Sequence, residues 1–247
     1  TIYEKPVDSV QYLSINRDNM LLRKEKARRA ISLAIDRDGF TGGALSRYFM
    51  AADALAWERS TYEGKDMPVY DTEAARKLLD DVKQEMGEVS LKLRLPVLKG
   101  NTIHEELGKQ VKNDLEKIGF QVDEQALDQG EYLQQVYMLG NYDLLINSMS
   151  GWETYSAYDR ILSDSQGIST GSASDQVKAA INKLNASYGQ KAVNESLKEA
   201  NSVLNRLAPV IPVSRQKEFT AVSADLKNCR MTRYDPFIIN VYDIRVK

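Results

Sequence analysis

Asn141-Tyr142-Asp143-Leu144-Leu145-Ile146-Asn147-Ser148-Met149-Ser150-Gly151-Trp152 is the stretch on which the fold turns. Its apolar centre, Leu144 to Ile146, is entered from a Gly140-Asn141 break and left through small polar residues, so Tyr142 to Met149 reads as a short buried strand. Beyond it lies a loop carrying Trp152 and Glu153. In open α/β sheets ligands collect outside the carboxyl ends of strands, where loops converge and helix N-termini point. That loop is therefore the first place to look for function.

Upstream, the pattern is regular. Asp71 caps a helix whose Ala75, Leu78, Leu79, Val82 and Met86 form one stripe, and Gly87 stops it. Val89, Leu91, Leu93, Leu95 and Val97 then alternate without a miss, as a half-buried strand does. Asn101 caps a second helix with Ile103, Leu107, Val111, Leu115 and Ile118 on one side; Gly119 ends it and the strand Phe120-Gln121-Val122 follows. Asp128, with Glu131 three residues on, opens a third helix as a capping box. Strand, helix, strand, helix, strand over 89–149 is a βαβαβ unit, which predicts parallel strands and right-handed crossovers. The opening stretch is its third strand.

The flanks are less regular. Tyr12 to Asn16 alternates like a strand whose partners must lie far downstream. A helix is expected over Leu22 to Ile35, with Arg23, Lys24, Lys26, Arg28 and Arg29 as a solvated face, because cations are unfavourable near a helix N-terminus. Asp36 caps a short helix running to about Leu45. Residues 50–67 form an irregular connection in which Trp57 either lines a cleft or anchors the loop on the core. After a polar stretch from Ser163 to Ser174 come two helices, one carrying Val177, Ile181 and Leu184, the other spanning about Lys191 to Leu207.

Composition excludes several classes of function. The 247 residues are 43% hydrophobic and 28% charged, enough for one sizeable core or two smaller ones. Lys+Arg (33) nearly balance Asp+Glu (35), and no basic tract interleaves with aromatics, so no nucleic-acid partner is expected. No apolar run approaches the roughly 20 residues of a membrane span, so no direct membrane insertion is expected, and the first residues do not read as a signal peptide. The single cysteine, Cys229, excludes an internal disulfide; with one histidine, His104, it leaves no ligand set for a metal and no cofactor is expected. His104 reads as a surface helix residue. There is no nucleophile elbow, phosphate loop or zinc-protease motif, and the pairs Asp80-Asp81 and Glu105-Glu106 fall on polar helix faces. No catalytic residue is expected, and the chain reads as a binder rather than an enzyme.

Several of these segments resemble one family. Arg28-Arg29-Ala30-Ile31-Ser32-Leu33-Ala34-Ile35-Asp36-Arg37, preceded by Tyr12-Leu13-Ser14-Ile15-Asn16, resembles the R-x-A-[LI]-x-x-A-[IL]-D-R signature and Y-L-x-x-N strand of the oligopeptide- and dipeptide-binding proteins of ABC importers, family 5 of the extracellular solute-binding proteins. Asp71 to Leu79, Leu115 to Val122, the Tyr142-Asp143-Leu144 entry before Gly151-Trp152, and Pro209-Val210-Ile211-Pro212-Val213 are similar to further segments of that family.

The resemblance implies an α/β, periplasmic-binding-protein-like (class II) lobe with a βαβαβ unit and two hinge strands. Residues 1–16 would be the end of a first-lobe remnant and the first hinge strand, 17–208 the second lobe, and 209–247 the returning hinge strand with a C-terminal first-lobe remnant. It implies capture of a peptide or similar small solute between two lobes, delivery to a membrane ABC permease, and an extracytoplasmic location, in the periplasm or on a lipid anchor. A sensory or interaction module on the same fold, or a small α/β enzyme, are the rival readings. The implied ligand residues are Trp152, Glu153, Tyr155 and Trp57, with Tyr158 nearby: an indole stacks on a peptide plane, and a partly desolvated carboxylate pairs with an α-ammonium. In peptide-binding relatives an aspartate a few residues after the Gly-Trp holds the peptide's amino terminus. Here Glu153 follows Trp152 directly and the next aspartate is Asp159, so either Glu153 is the substitute, or this member does not bind a free amino terminus in the usual way or does not bind peptides.

Overall fold

The computed structural model describes residues 2–42, 46–52, 67–150, 158, 169–170, 175–228, 242 and 244–246. The chain opens with a long strand, β1 (Ile2–Asn16), whose partners do lie far downstream. β5 (Leu144–Ser150) pairs with it from Ile15 opposite Leu144 to Ser9 opposite Ser150, and β7 (Val210–Ala221) pairs from Ser14 opposite Val210 to Ile2 opposite Ala221. Both pairings are antiparallel. β2 (Phe49–Ala51) adds to β7, giving the order β2-β7-β1-β5, and β6 (Ser169–Thr170) pairs in parallel with Ile15 and Asn16.

The helices follow the stripes. The helix expected over Leu22 to Ile35 is two, α1 (Met20–Arg23) and α2 (Glu25–Ala34), broken at Lys24, whose backbone is extended. Asp36 accepts from Gly39 N at 2.8 Å and opens α3 (Arg37–Gly42). Asp71 caps α4 (Thr72–Met86) through Ala74 N at 2.9 Å, and Gly87 stops it at φ 73°, a conformation glycine adopts without steric cost. Asp71→Ala is expected to lower stability by about 1 kcal/mol. The measurement is a lower urea midpoint at unchanged slope.

β3 (Lys92–Leu98) and β4 (Gln121–Leu127) flank α5 (Thr102–Lys117) and pair in parallel, Lys92 opposite Gln121 through Leu98 opposite Leu127. The capping box of Asp128 and Glu131 opens α6 (Gln129–Tyr132), which runs into a π-helical turn, Leu133–Met138. The expected order of elements is observed, but among the described residues the parallel ladder stops at β3 and β4. β5 meets β3 through a hydrogen bond from Asp143 N to Arg94 O, 3.0 Å, and makes its ladder with β1 instead. The reason is local: the Asp143 carboxylate takes the Arg94 amide at 2.7 Å, and the next β3 amide on that edge would be that of Pro96, which has no N–H to donate.

The last two helices, α7 (Asp175–Asn185) and α8 (Gln190–Leu207), pack against each other. One cluster of the core joins Leu13, Ile15, Leu144, Ile146, Ile211 and Val213 of the sheet to α2, α4, α5 and β3. Another joins Val10, Tyr12 and Val210 to the apolar sides of α7 and α8. Helices thus cover both faces of the sheet, and the unbroken Leu144-Leu145-Ile146 run is what a strand buried on two sides requires.

The two arginines of the signature hold these layers together. Arg28, expected on a solvated face, is only 5% exposed: Nε donates to Leu207 O at 3.0 Å, and Nη1 to Leu22 O and Arg23 O at 3.0 and 2.8 Å. Arg37, 7% exposed, donates from Nε to Pro212 O at 2.8 Å, from Nη1 to Ser32 O and Pro68 O at 3.2 and 3.3 Å, and from Nη2 to Ser32 Oγ at 3.3 Å. Burial lowers both guanidiniums to about 10. They remain cations at neutral pH. Each acts as a multi-pronged donor that satisfies carbonyls at the ends of α1, α2 and α8 and along β7.

Candidate ligand-binding site

β5 ends beside a row of buried polar residues. Ser148 stands opposite Gln11 and Ser150 opposite Ser9; across β1, Ser214 faces Gln11 and Arg215 faces Val10; beyond β7, Ala51 and Met50 of β2 face Ser214 and Arg215. Gln11, Ser14, Ser214 and Arg215 are all buried, and Asn147 Nδ2 donates to Ser14 Oγ at 3.1 Å. The Ser214 hydroxyl has no hydrogen-bond partner among the described residues. β2 and β5 are three strand spacings apart in this sheet, about 14 Å. β2 and β5 run in opposite directions, β2 ending with Ala51 beside Ser214 and β5 with Ser150 beside Ser9.

The segments that follow β2 and β5, 53–66 and 151–157, carry Trp57, Trp152, Glu153 and Tyr155, and all four lie outside the described residues, as does Cys229. The structure does place Tyr158, and not as a ligand-facing residue. Its ring is fully buried among Val177, Ile181, Leu197 and Leu204, with its hydroxyl donating to Asn201 Oδ1 at 3.0 Å. Tyr158 itself is anchored between α7 and α8.

A clamp fixes the start of β5. Asp143, 4% exposed, accepts from Arg94 N at 2.7 Å, Arg94 Nε at 2.9 Å, Arg94 Nη2 at 3.1 Å and Asn19 Nδ2 at 3.0 Å, and the Arg94 guanidinium also reaches Asn141 Oδ1. Asn16, the last residue of the Y-L-x-x-N strand, donates to Tyr142 O at 2.8 Å and accepts from Asp18 N at 2.9 Å. The start of β5 is thereby tied to β1, α1 and β3 at once. Sequence reasoning passed over this use of Asp143; the signal was an aspartate inside an apolar strand entry, where a carboxylate must find donors.

Burial pushes the Asp143 carboxyl up, but the hydrogen bonds from Arg94 and Asn19 outweigh it and hold the group below its ordinary range. A depressed folded-state pKa means that the unfolded chain takes up the proton first. Asp143 thus stabilises the fold above about pH 4, and that contribution is lost as pH falls through the folded value. Urea unfolding between pH 3 and pH 7 is expected to show Asp143→Asn less stable at pH 7 and with a shallower acid limb than the parent. Parallel acid limbs would contradict the assignment.

His104 differs from expectation. It is half-buried, its ring set edge-on to Tyr132 with centroids 6.1 Å apart, and its Nδ1 is buried without a partner among the described residues. Burial lowers its pKa, so the ring is neutral at pH 7 and packs rather than exchanging protons. Among the described residues no group of His, Cys, Asp and Glu could hold a metal ion, and no helix is long and apolar enough to cross a membrane.

Past the polar row, β1 and β7 continue as a two-stranded ribbon among the described residues, from Pro6 opposite Lys217, where Lys217 N still donates to Tyr48 O at 2.7 Å, to Ile2 opposite Ala221. The register shifts between Pro6 and Val10, where the ribbon leaves the wider sheet. Glu4 and Lys217 pair across it at 2.9 Å, and Tyr48 meets Phe219 edge-on at 5.8 Å.

The sheet is thus covered on both faces, and two antiparallel strands leave it side by side. Residues 1–169 match the profile "Bacterial extracellular solute-binding proteins, family 5 Middle", and the chain belongs to that family. Its members are binding proteins rather than enzymes. Solved structures share the fold at low sequence identity. The periplasmic oligopeptide-binding protein OppAIV from Borrelia burgdorferi superposes with a TM-score of 0.79 at 18% identity, over 100% of this chain and 50% of its own. The dipeptide-binding protein from a Pseudoalteromonas species, in complex with Met-Leu, gives 0.74 at 16%, over 100% and 50%. NikA from Brucella suis, in complex with Fe(III)-EDTA, gives 0.74 at 17%, over 100% and 53%. The chain thus spans about half the length of the solved structures it matches. No curated protein sequence matches it.

Proposed function

We propose that this chain is the ligand-closing lobe of an extracytoplasmic solute-binding protein that captures a peptide or similar small solute and delivers it to a membrane ABC permease. The β1–β7 ribbon carries the reading. Two antiparallel strands that leave the sheet together, joined by a ladder and the Glu4–Lys217 pair, are the simplest double connection about which one lobe can turn on another.

The bending point in this reading is the register shift between Pro6 and Val10, rather than Tyr12 to Asn16 and Pro209 to Val213. Most of those residues lie inside the sheet with helices on both faces, where a change of backbone angle would disturb two packed layers. Ligand contacts come from Trp152, Glu153, Tyr155 and Trp57. The indoles stack on the solute and Glu153 receives its cationic end. Support for a peptide comes from relatives that hold one, such as the Met-Leu complex; the Fe(III)-EDTA complex of NikA shows that the fold also accommodates other small solutes.

Small-angle scattering of the full-length protein tests closure. With a saturating tripeptide pool the radius of gyration is expected to fall; saturation with no change in scattering overturns the hinge.

A further inference from the structure

We propose that the cleft between α2 and α8 is a second binding site, for a small organic carboxylate such as a short-chain dicarboxylate. It goes beyond peptide capture and uses none of the strand-end loops. The cleft measures about 370 Å³ and is lined by Arg29, Ser32 and Leu33 of α2, by Pro68 ahead of α4, and by Asn205 and Arg206 of α8, with Ser202 beside them. Among these lining residues are two guanidiniums and no carboxylate.

The ordinary reason for arginines here would be to satisfy the C-terminal carbonyls of the two helices. Other groups already do this. Arg28 holds Leu207 O, Arg37 holds Ser32 O, and Asp71 N donates to Leu33 O at 2.9 Å. Arg29 and Arg206 are left with weaker engagements: Arg206 donates to the neutral Gln176 Oε1 at 2.7 Å, and Arg29 has Glu25 at 3.9 Å, beyond hydrogen-bond reach. Asn205 Nδ2, from the same wall, is buried with no acceptor among the described residues.

The lining is therefore rich in donors and short of acceptors. The complementary ligand is an acceptor-only group with negative charge, and a planar carboxylate matches a guanidinium fork. Behind the wall, Arg28 and Arg37 bind carbonyls and a hydroxyl with no carboxylate in hydrogen-bonding contact, so their charge adds to the field in the cleft. Leu33 and Pro68 supply an apolar surface that an inorganic ion cannot use, which favours a carboxylate with a short carbon chain.

The test is a titration of the ¹⁵N-labelled 247-residue chain with succinate, with its uncharged analogue succinamide, and with inorganic phosphate. Succinate is expected to shift the amides of residues 29–33 and 202–206 saturably, succinamide to leave them in place, and phosphate to act more weakly. Arg206→Gln and Asn205→Leu, each with an otherwise dispersed spectrum, are each expected to weaken succinate binding about tenfold or more. No saturable shift with succinate, an equal response to succinamide, or affinity unchanged in both variants overturns the site. Saturation by phosphate without succinate binding shows an inorganic-anion site and overturns the carboxylate assignment. Peptide binding is not needed for any of these outcomes.

Discussion

Arg37→Leu is expected to destabilise this chain by about 3–5 kcal/mol, the largest single effect we anticipate outside the ligand loops. Leucine replaces much of the buried aliphatic stem, so the loss is chiefly electrostatic. Pro212 O, Ser32 O and Pro68 O each lose a charged donor, and the side chain that holds them is only 7% exposed. At about 1–3 kcal/mol per buried group left unsatisfied, the sum is a large part of the roughly 5–15 kcal/mol a domain has in hand. Arg37→Lys should recover part of it, because one ammonium can reach one or two of the three carbonyls but cannot span them. Chemical unfolding checks both variants; a cost for Arg37→Leu below about 1 kcal/mol would show that the carbonyls find other partners.

The second large effect concerns ligand affinity in the full-length protein. Trp152→Ala is expected to weaken peptide binding about 100-fold, the cost of removing a central aromatic anchor. Glu153→Gln keeps the shape and removes the charge. It should weaken peptides with a free amino terminus about tenfold or more and leave N-acetylated peptides nearly unchanged, because only the former present an α-ammonium. Isothermal calorimetry with the paired peptides separates the two cases. An equal loss for both kinds would assign Glu153 to shaping the loop rather than to reading the ligand's charge.

Much of the fold was legible because single elements carry their own periodicity. The alternation from Val89 to Val97 and the stripes of α4, α5, α7 and α8 need no distant partner to be read. What was missed depends on residues far apart in sequence. Arg28 was grouped with its basic neighbours, although its spacing to Ile31 and Ile35 puts it on the apolar side of α2; its acceptor, Leu207 O, lies 179 residues away. The ladder of β5 with β1 and its contact with β3 through Asp143 and Arg94, 49 residues apart, are strand pairings that single-strand patterns do not encode. Tyr158 was read with the tyrosine and tryptophan near it as a possible contact, whereas its hydroxyl needed the buried acceptor that Asn201 provides. Trp57, Trp152, Glu153 and Tyr155 rest on chemistry and on family resemblance, and they lie outside the described residues.

The central claim is that one lobe supplies half of a cleft that works only when closed against the other. Calorimetry on the 247-residue chain and on the full-length protein, with the same series of di- to pentapeptides, tests it most directly. The account predicts binding by the full-length protein and none, or only millimolar binding, by the chain alone. Micromolar affinity in the isolated chain would contradict it.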